Sequence, residues 1–182
     1  MPVVIGGKPE SGFSDPIGLL SDCHRRIEQF LSVLEKIADL AHGGPLTDEQ
    51  RKSLDSALTY FRQPATKHTA DEEESLFPRL RSLDTPEARA VLKKLEELER
   101  EHGHAEKSHA AVDRLGCAWL SAGSLAPSDA ADFSALVTEL ANLYRRHISI
   151  EESEVFPVAA RALSKAERDN VGREMAARRG LL

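Results

Sequence analysis

One pattern of residues occurs twice in this chain and limits what it can fold into. Residues 68–78 read HTADEEESLFP and residues 147–157 read HISIEESEVFP, so both follow H-x-x-x-E-E-x-x-[LV]-F-P. In a helix, residues four apart lie on one face, one turn from each other. Each copy therefore presents one imidazole and one carboxylate to a common point. The two pairs are His68 with Glu72 and His147 with Glu151.

The repeat extends upstream of each copy. His68 lies 44 residues after His24, and His147 lies 45 residues after His102. Each half of the chain is therefore interpreted as a helical hairpin, with a single His on its first helix and the His–Glu pair on its second. Two such hairpins form a four-helix bundle. We expect an all-α, up-down-up-down antiparallel four-helix bundle in which four His and two Glu point at one interior position.

Helix-start signals set the expected boundaries of this bundle. Residues 1–14 contain several Gly and Pro and are predicted to form an irregular N-terminal arm. Residues 15–163 are predicted to form the bundle, and residues 164–182 a short extra C-terminal helix that flanks it. N-caps are predicted at Asp15, Thr47, Thr85, Ser128 or Asp129, and Ser164.

Two prolines interrupt the predicted second helix. Pro64 falls one turn before His68, where it either breaks the helix in two or kinks it so that His68 is directed inward. Pro78 follows Phe77 at the end of the repeated pattern, and we expect the helix to end there because proline resists helix continuation.

Composition narrows the class of protein further. With 182 residues, 41% of them hydrophobic, the chain is most simply one domain with a substantial core. Its net charge of −6 argues against a nucleic-acid partner. No run of about 18 apolar residues and no secretory signal is recognisable, so neither a membrane partner nor export is expected. Two cysteines without a Cys-x-x-Cys spacing are typical of a reducing cytoplasm.

A single His on an apolar helix face is usually a core residue, but this does not explain six inward polar residues. Buried imidazoles need hydrogen bonds or ligation, and buried carboxylates are costly unless a cation pairs with them. A metal ion supplies that charge. Six ligands exceed the four of a tetrahedral zinc site, but they suit two ions bridged by both carboxylates. Two iron ions are expected, with manganese or zinc as substitutes.

The repeated motifs, with DCHRR around His24 and REHGH around His102, resemble the hemerythrin-like, or HHE cation-binding, family. The resemblance covers roughly residues 15–160. It implies a non-haem di-iron centre inside a four-helix bundle, and functions that include binding of O2 or NO, sensing of oxygen or iron, and repair of iron–sulfur centres. Transferred position by position, the metal ligands are His24, His68, Glu72, His102, His147 and Glu151.

The chain departs from the family pattern at two places. Family members often carry a second His directly after the motif His, and these positions are Thr69 and Ile148 here. Oxygen-carrying hemerythrins have a further His one turn after the third-helix His, and this position is Glu106. A reversible O2 carrier with five His ligands is therefore not expected. Glu28 and Glu106 are interpreted either as boundary residues or as a third carboxylate ligand or proton relay, and His109 as a residue of the access path.

The favoured hypothesis is a di-iron protein that binds O2, NO or H2O2 for sensing, scavenging or detoxification. One alternative is an enzyme that consumes peroxide or NO, or that helps to repair iron–sulfur clusters. Another is a helical module without metal, which leaves the six inward polar residues unexplained. The expected partner is a small gaseous or peroxide ligand, and the expected state is a monomer or weak homo-oligomer in the cytoplasm.

Overall fold

Four antiparallel helices form the bundle, and two of them are interrupted. The computed structural model describes residues 11–182, and every regular element among these is helical. Each bundle helix packs on its chain neighbours, and the first also packs on the fourth. In chain order the elements are α1 (Pro16–Ala41), α2 (Asp48–Arg62), α3 (Pro64–Asp71), a π-helical turn (Glu72–Leu76), α4 (Phe77–Ser82), α5 (Pro86–Ala122), α6 (Pro127–Ile150), a second π-helical turn (Glu151–Val155), α7 (Phe156–Ala162) and α8 (Lys165–Arg178). The second bundle helix runs from α2 to α4, and the fourth from α6 to α7.

Most helices begin where the sequence predicts. Side-chain caps form at Asp15, Thr47, Thr85 and Ser164. The prediction for α6 is wrong, because this helix starts at Pro127, before Ser128 and Asp129, and its N-cap Ala126 makes no side-chain hydrogen bond. A proline in the first helical position has its φ preset and no N–H to satisfy, so the helix can start without a polar cap. Of the predicted N-terminal arm, residues 1–10 lie outside the described residues, and residues 11–14 are irregular.

Both copies of the repeated pattern contain a π-helical turn that the sequence did not predict. The turns cover Glu72–Leu76 and Glu151–Val155, and Pro78 and Pro157 follow closely after them. A proline cannot donate to the carbonyl four residues earlier, and its ring crowds that turn of an α-helix. The wider π-helical turn accommodates the ring. The second bundle helix therefore continues through α4, and the prediction that it ends at Pro78 is wrong.

Pro64 has both of the effects that the sequence left open. The helix is broken there, because α2 ends at Arg62 and Gln63 has a non-helical φ of −130°. The new helix α3 then carries His68 into the interior of the bundle, where it is buried. The break thus coincides with the change of direction that brings the first His–Glu pair inward.

Two apolar clusters fill the bundle, and the predicted polar residues lie between them. Along α1, His24 separates Leu20, which belongs to one cluster, from Ile27, which belongs to the other. The cluster that contains Leu20 also includes Val171 and Met175 of α8, so this last helix is packed into the core and is not only a surface flank. Across residues 11–182, no helix combines the length and apolarity that crossing a membrane requires.

Candidate metal centre

All six residues predicted as ligands meet between the two apolar clusters. Each is buried, with at most 8% of its surface exposed. Their ligand atoms form two groups of four, and the atoms within each group lie within 4.8 Å of one another. The two carboxylates belong to both groups. One group is His24, His68, Glu72 and Glu151, and the other is Glu72, His102, His147 and Glu151.

The imidazole Nε2 atoms face the carboxylates at 3.1–3.4 Å, without forming hydrogen bonds to them. His68 Nε2 lies 3.2 Å from Glu72 Oε1, and His102 Nε2 lies 3.4 Å from Glu72 Oε2. On the other carboxylate, His24 Nε2 lies 3.1 Å from Glu151 Oε2, and His147 Nε2 lies 3.3 Å from Glu151 Oε1.

These central atoms lack the partners that buried polar atoms need. All four carboxylate oxygens of Glu72 and Glu151 are buried and have no hydrogen-bond partner among the described residues. Two carboxylates left in this condition would be strongly destabilising, because buried charges require pairing. Cations placed between the imidazole and carboxylate groups would satisfy all of them, so the donor set fits a metal centre.

Three of the four imidazoles are held from behind by a second carboxylate. The Nδ1 atoms of His24, His102 and His147 donate to Glu152 at 2.7 Å, Glu73 at 2.8 Å and Glu101 at 3.0 Å, respectively. A carboxylate can only accept, so Nδ1 carries a proton and Nε2 is the nitrogen left to bind a metal ion at the centre. This tautomer is the one that a metal ion at the centre requires.

Glu73 and Glu152 occupy equivalent places in the two copies of the pattern. Each directly follows a central carboxylate, and each supports the first-helix His of the other half of the chain. The repetition of this second Glu is visible in the sequence, but the direction of its side chain is not. Sequence reasoning missed Glu101, because the other half of the repeat has no matching Glu and because Glu101 hydrogen-bonds a His of a different helix.

His68 is the exception to this arrangement. Its Nδ1 is buried without a hydrogen-bond partner, and burial lowers the pKa of His68 to about 4. Burial also acts to lower the pKa of His102, but the carboxylates of Glu72 and Glu73 outweigh it and raise that pKa to about 10. His68 therefore differs electrostatically from the other three imidazoles, whose pKa values are raised by nearby carboxylates.

The other polar residues that the sequence left open lie outside the two groups. Glu28 and Glu106 are exposed on α1 and α5, and neither belongs to a candidate ligand group among residues 11–182. His109 forms a hydrogen bond of 3.1 Å with the Tyr144 hydroxyl, and burial lowers its pKa to about 4. It lines a cavity that also reaches His102.

Replacing Glu73 with Gln is expected to weaken metal binding by roughly 10–100-fold, the usual cost of losing a carboxylate that supports a ligand His. The substitution keeps the shape of the side chain but removes the charge that holds the Nδ1 proton of His102. Competition with a coloured chelator would measure the affinity. Glu106→Gln is the matched control, since it changes an exposed carboxylate of the same region and should leave affinity unchanged. Equal losses in both variants would contradict the role of Glu73.

Comparison with known proteins agrees with this geometry. The family model for the Hemerythrin HHE cation binding domain matches residues 15–159, which include all six central residues and both copies of the repeated pattern. Among curated proteins, none matches the chain. The match spans most of the chain, and the buried His and Glu groups fit a cation, so this helical, metal-binding protein belongs to the hemerythrin HHE cation-binding family.

Proposed function

We propose that this protein holds two iron ions and binds a small diatomic or peroxide ligand, O2, NO or H2O2, for sensing, scavenging or detoxification. The observation that carries the proposal is the pair of overlapping ligand groups that share Glu72 and Glu151. Two ions, one held by each group, would use every one of the six residues. A single tetrahedral ion would leave two of them unused.

The choice of iron follows from the ligand types. Imidazole suits iron, copper, nickel and zinc, carboxylates favour harder ions, and no thiolate belongs to either group. Manganese or zinc could occupy the same positions in a purified sample. When bound, iron supplies redox chemistry and open coordination positions for a small ligand.

The protein residues prepare this centre in three ways. Glu72 and Glu151 bring negative charge to balance the cations, and the carboxylates behind the imidazoles keep the Nε2 lone pairs directed inward. The apolar clusters on both sides exclude bulk water. Such surroundings admit a small neutral molecule more readily than a charged substrate, because burying an unpaired charge is costly.

The first test is the metal content and visible spectrum of protein produced in iron-rich medium. If the proposal is right, the protein holds about two irons per chain, with charge-transfer absorption in the visible range. One zinc per chain and a spectrum without a visible band would contradict the di-iron proposal.

The reduced iron protein should change its absorption within seconds of mixing with O2 or NO. Glu106 occupies the position of the additional His of the oxygen carriers, so we expect oxidation to compete with reversible oxygenation over repeated cycles. Stopped-flow absorption would measure both, with the zinc-loaded protein as the matched control. A fully reversible O2 response over many cycles would instead indicate a carrier, and no response to either gas would indicate iron storage or a structural metal.

A further inference from the structure

A cavity of about 530 Å³ opens beside the candidate metal centre, between the second bundle helix and α5. A water molecule takes up ~30 Å³ of liquid, and a diatomic gas is of similar size. The cavity is therefore far larger than a gas ligand needs. It lies within the range of ~300–1,000 Å³ that is typical of pockets for organic molecules.

The cavity arises from a difference between the two halves of the repeat. Ala65 lies three residues before the motif His68, where the other half has Tyr144 before His147. Ala105 likewise occupies the position that corresponds to Ile27. Tyr144 and Ile27 are both buried and fill space in the core. The small residues Ala65 and Ala105 leave room at the positions that Tyr144 and Ile27 fill in the other half, and both alanines line the cavity.

The wall of the cavity combines apolar surface with a small polar group. Leu58, Phe61 and Val112 contribute apolar surface. The Phe61 ring stacks on His109 with 4.4 Å between ring centroids, and His109 Nε2 is hydrogen-bonded to the Tyr144 hydroxyl. No described residue hydrogen-bonds His109 Nδ1, so this atom can donate to or accept from a bound molecule.

The charges around the cavity discriminate against anions. Four of the five carboxylates that line it have an ion-pair partner, and Glu106 is the one that remains. The pairs are Asp113 with Arg62, Glu73 with His102, Glu74 with Arg178 and Glu99 with Arg81. Glu106 is exposed and has no ion pair among residues 11–182. A carboxylate or phosphate ligand would be repelled by this excess of negative charge.

We propose that this cavity binds a neutral aromatic molecule that carries one hydrogen-bonding group, as a phenol does. The ring would lie against Leu58, Phe61 and Ala105, with its polar group at the His109–Tyr144 pair. Because His102 also lines the cavity, the bound molecule would lie next to the candidate metal centre. The inference goes beyond the proposed gas or peroxide ligand and does not depend on which metal is bound.

The probes are 2-naphthol, which is neutral at pH 7, and 2-naphthoate, which has the same rings but a negative charge. Isothermal titration calorimetry with the full chain, as purified and after treatment with a chelator, would measure their affinities. We expect saturable binding of one 2-naphthol per chain in both preparations, and binding of 2-naphthoate that is weaker by roughly tenfold or more, or ~1.4 kcal/mol. A lack of saturable 2-naphthol binding to both preparations would overturn the proposal, whatever the iron content proves to be.

Cavity-filling variants locate the bound molecule. Ala105→Ile introduces the residue found at the corresponding position of the other half, and Thr69→Ile does the same in α3. Each should abolish 2-naphthol binding while the helical circular dichroism spectrum stays unchanged. Ala131→Ile, at an exposed position of α6 outside the cavity, is the matched control and should bind normally. If Ala105→Ile fails to fold, the result for Thr69→Ile alone tests the proposal. Unchanged 2-naphthol binding in either variant that does fold would overturn it.

Discussion

Removing the metal ions is expected to lower the melting temperature of this protein by roughly 10 °C. Glu72 and Glu151 are fully buried, and their oxygens have no hydrogen-bond partners among the described residues. Metal present at 1,000 times its Kd stabilises the folded state by ~4 kcal/mol. In a chain of this size, each kcal/mol corresponds to ~2–4 °C. Thermal melts followed by circular dichroism, before chelation, after chelation and after reloading with iron, would measure the change.

A variant that lacks one central carboxylate provides the control for this experiment. Glu72→Gln removes a ligand that both groups share, so the variant should hold little metal. Chelation should then lower its melting temperature by only a small amount. Glu106→Gln should show the same drop as the natural sequence, because Glu106 lies outside both groups. Two outcomes would show that the central carboxylates do not depend on metal. Chelation would leave the melting temperature of the natural protein unchanged, or it would lower that of Glu72→Gln by as much as that of the natural protein.

The positions of the central residues were predictable because they depend on the helical period and on the repeat. Residues four apart on a helix share a face whatever the tertiary structure, so His68 and Glu72 could be paired from sequence alone. The equal spacing of the two halves then placed His24 and His102 at the same depth in the bundle. The structure brings all of them to one place, as this reasoning predicts.

The residues that support this centre depend on features that the sequence pattern does not reveal. Glu73 is about 100° from Glu72 on an α-helix, but the π-helical turn that starts at Glu72 has more residues per turn. A helical period of 3.6 therefore does not give the direction of Glu73, which contacts His102 of another helix. Glu101 of α5 contacts His147 of α6, and only the packing of these helices in the bundle determines that pair.

The role of α8 was also underestimated from sequence. The sequence predicts only a short helix that flanks the bundle, but two arginines of α8 bind a buried carboxylate directly before the first central Glu. Arg178 Nη1 lies 2.8 Å from Asp71 Oδ1, and Arg179 Nη2 lies 2.7 Å from Asp71 Oδ2. Gly172 of the same helix packs so closely on Phe13 that a Cβ there would lie 1.8 Å from the Phe13 carbonyl oxygen. The helix is thus attached to the bundle by charge pairs and by close packing.

Replacing both Arg178 and Arg179 with Ala is expected to lower the free energy of unfolding by ~3–5 kcal/mol, the usual cost of leaving a buried charge unpaired. Asp71 is fully buried, and its carboxylate would lose both of these partners. Urea denaturation would measure the change. Arg173→Ala on the same helix is the matched control. Among residues 11–182, Arg173 hydrogen-bonds only Asn170 on the surface, so its loss should cost little. Adding Asp71→Asn to the double variant should recover most of the lost stability. If it does not, the loss of the charge pairs is not what destabilises the double variant.

The same double variant should affect the two copies of the repeated pattern unequally. Asp71 directly precedes Glu72 in the first copy, whereas the corresponding position before Glu151 is Ile150. Loosening of α8 therefore acts on the segment that carries His68 and Glu72, and leaves the segment of His147 and Glu151 in place. The family model matches residues 15–159, and α8 lies beyond them. This attachment therefore involves a helix outside the matched region. On the proposed two-ion centre, we expect the ion held by His24 and His68 to lose more affinity in a metal titration than the ion held by His102 and His147, because both groups share Glu72 but only the first contains His68. Equal weakening of both ions would show that α8 stabilises the whole bundle and not the first copy in particular.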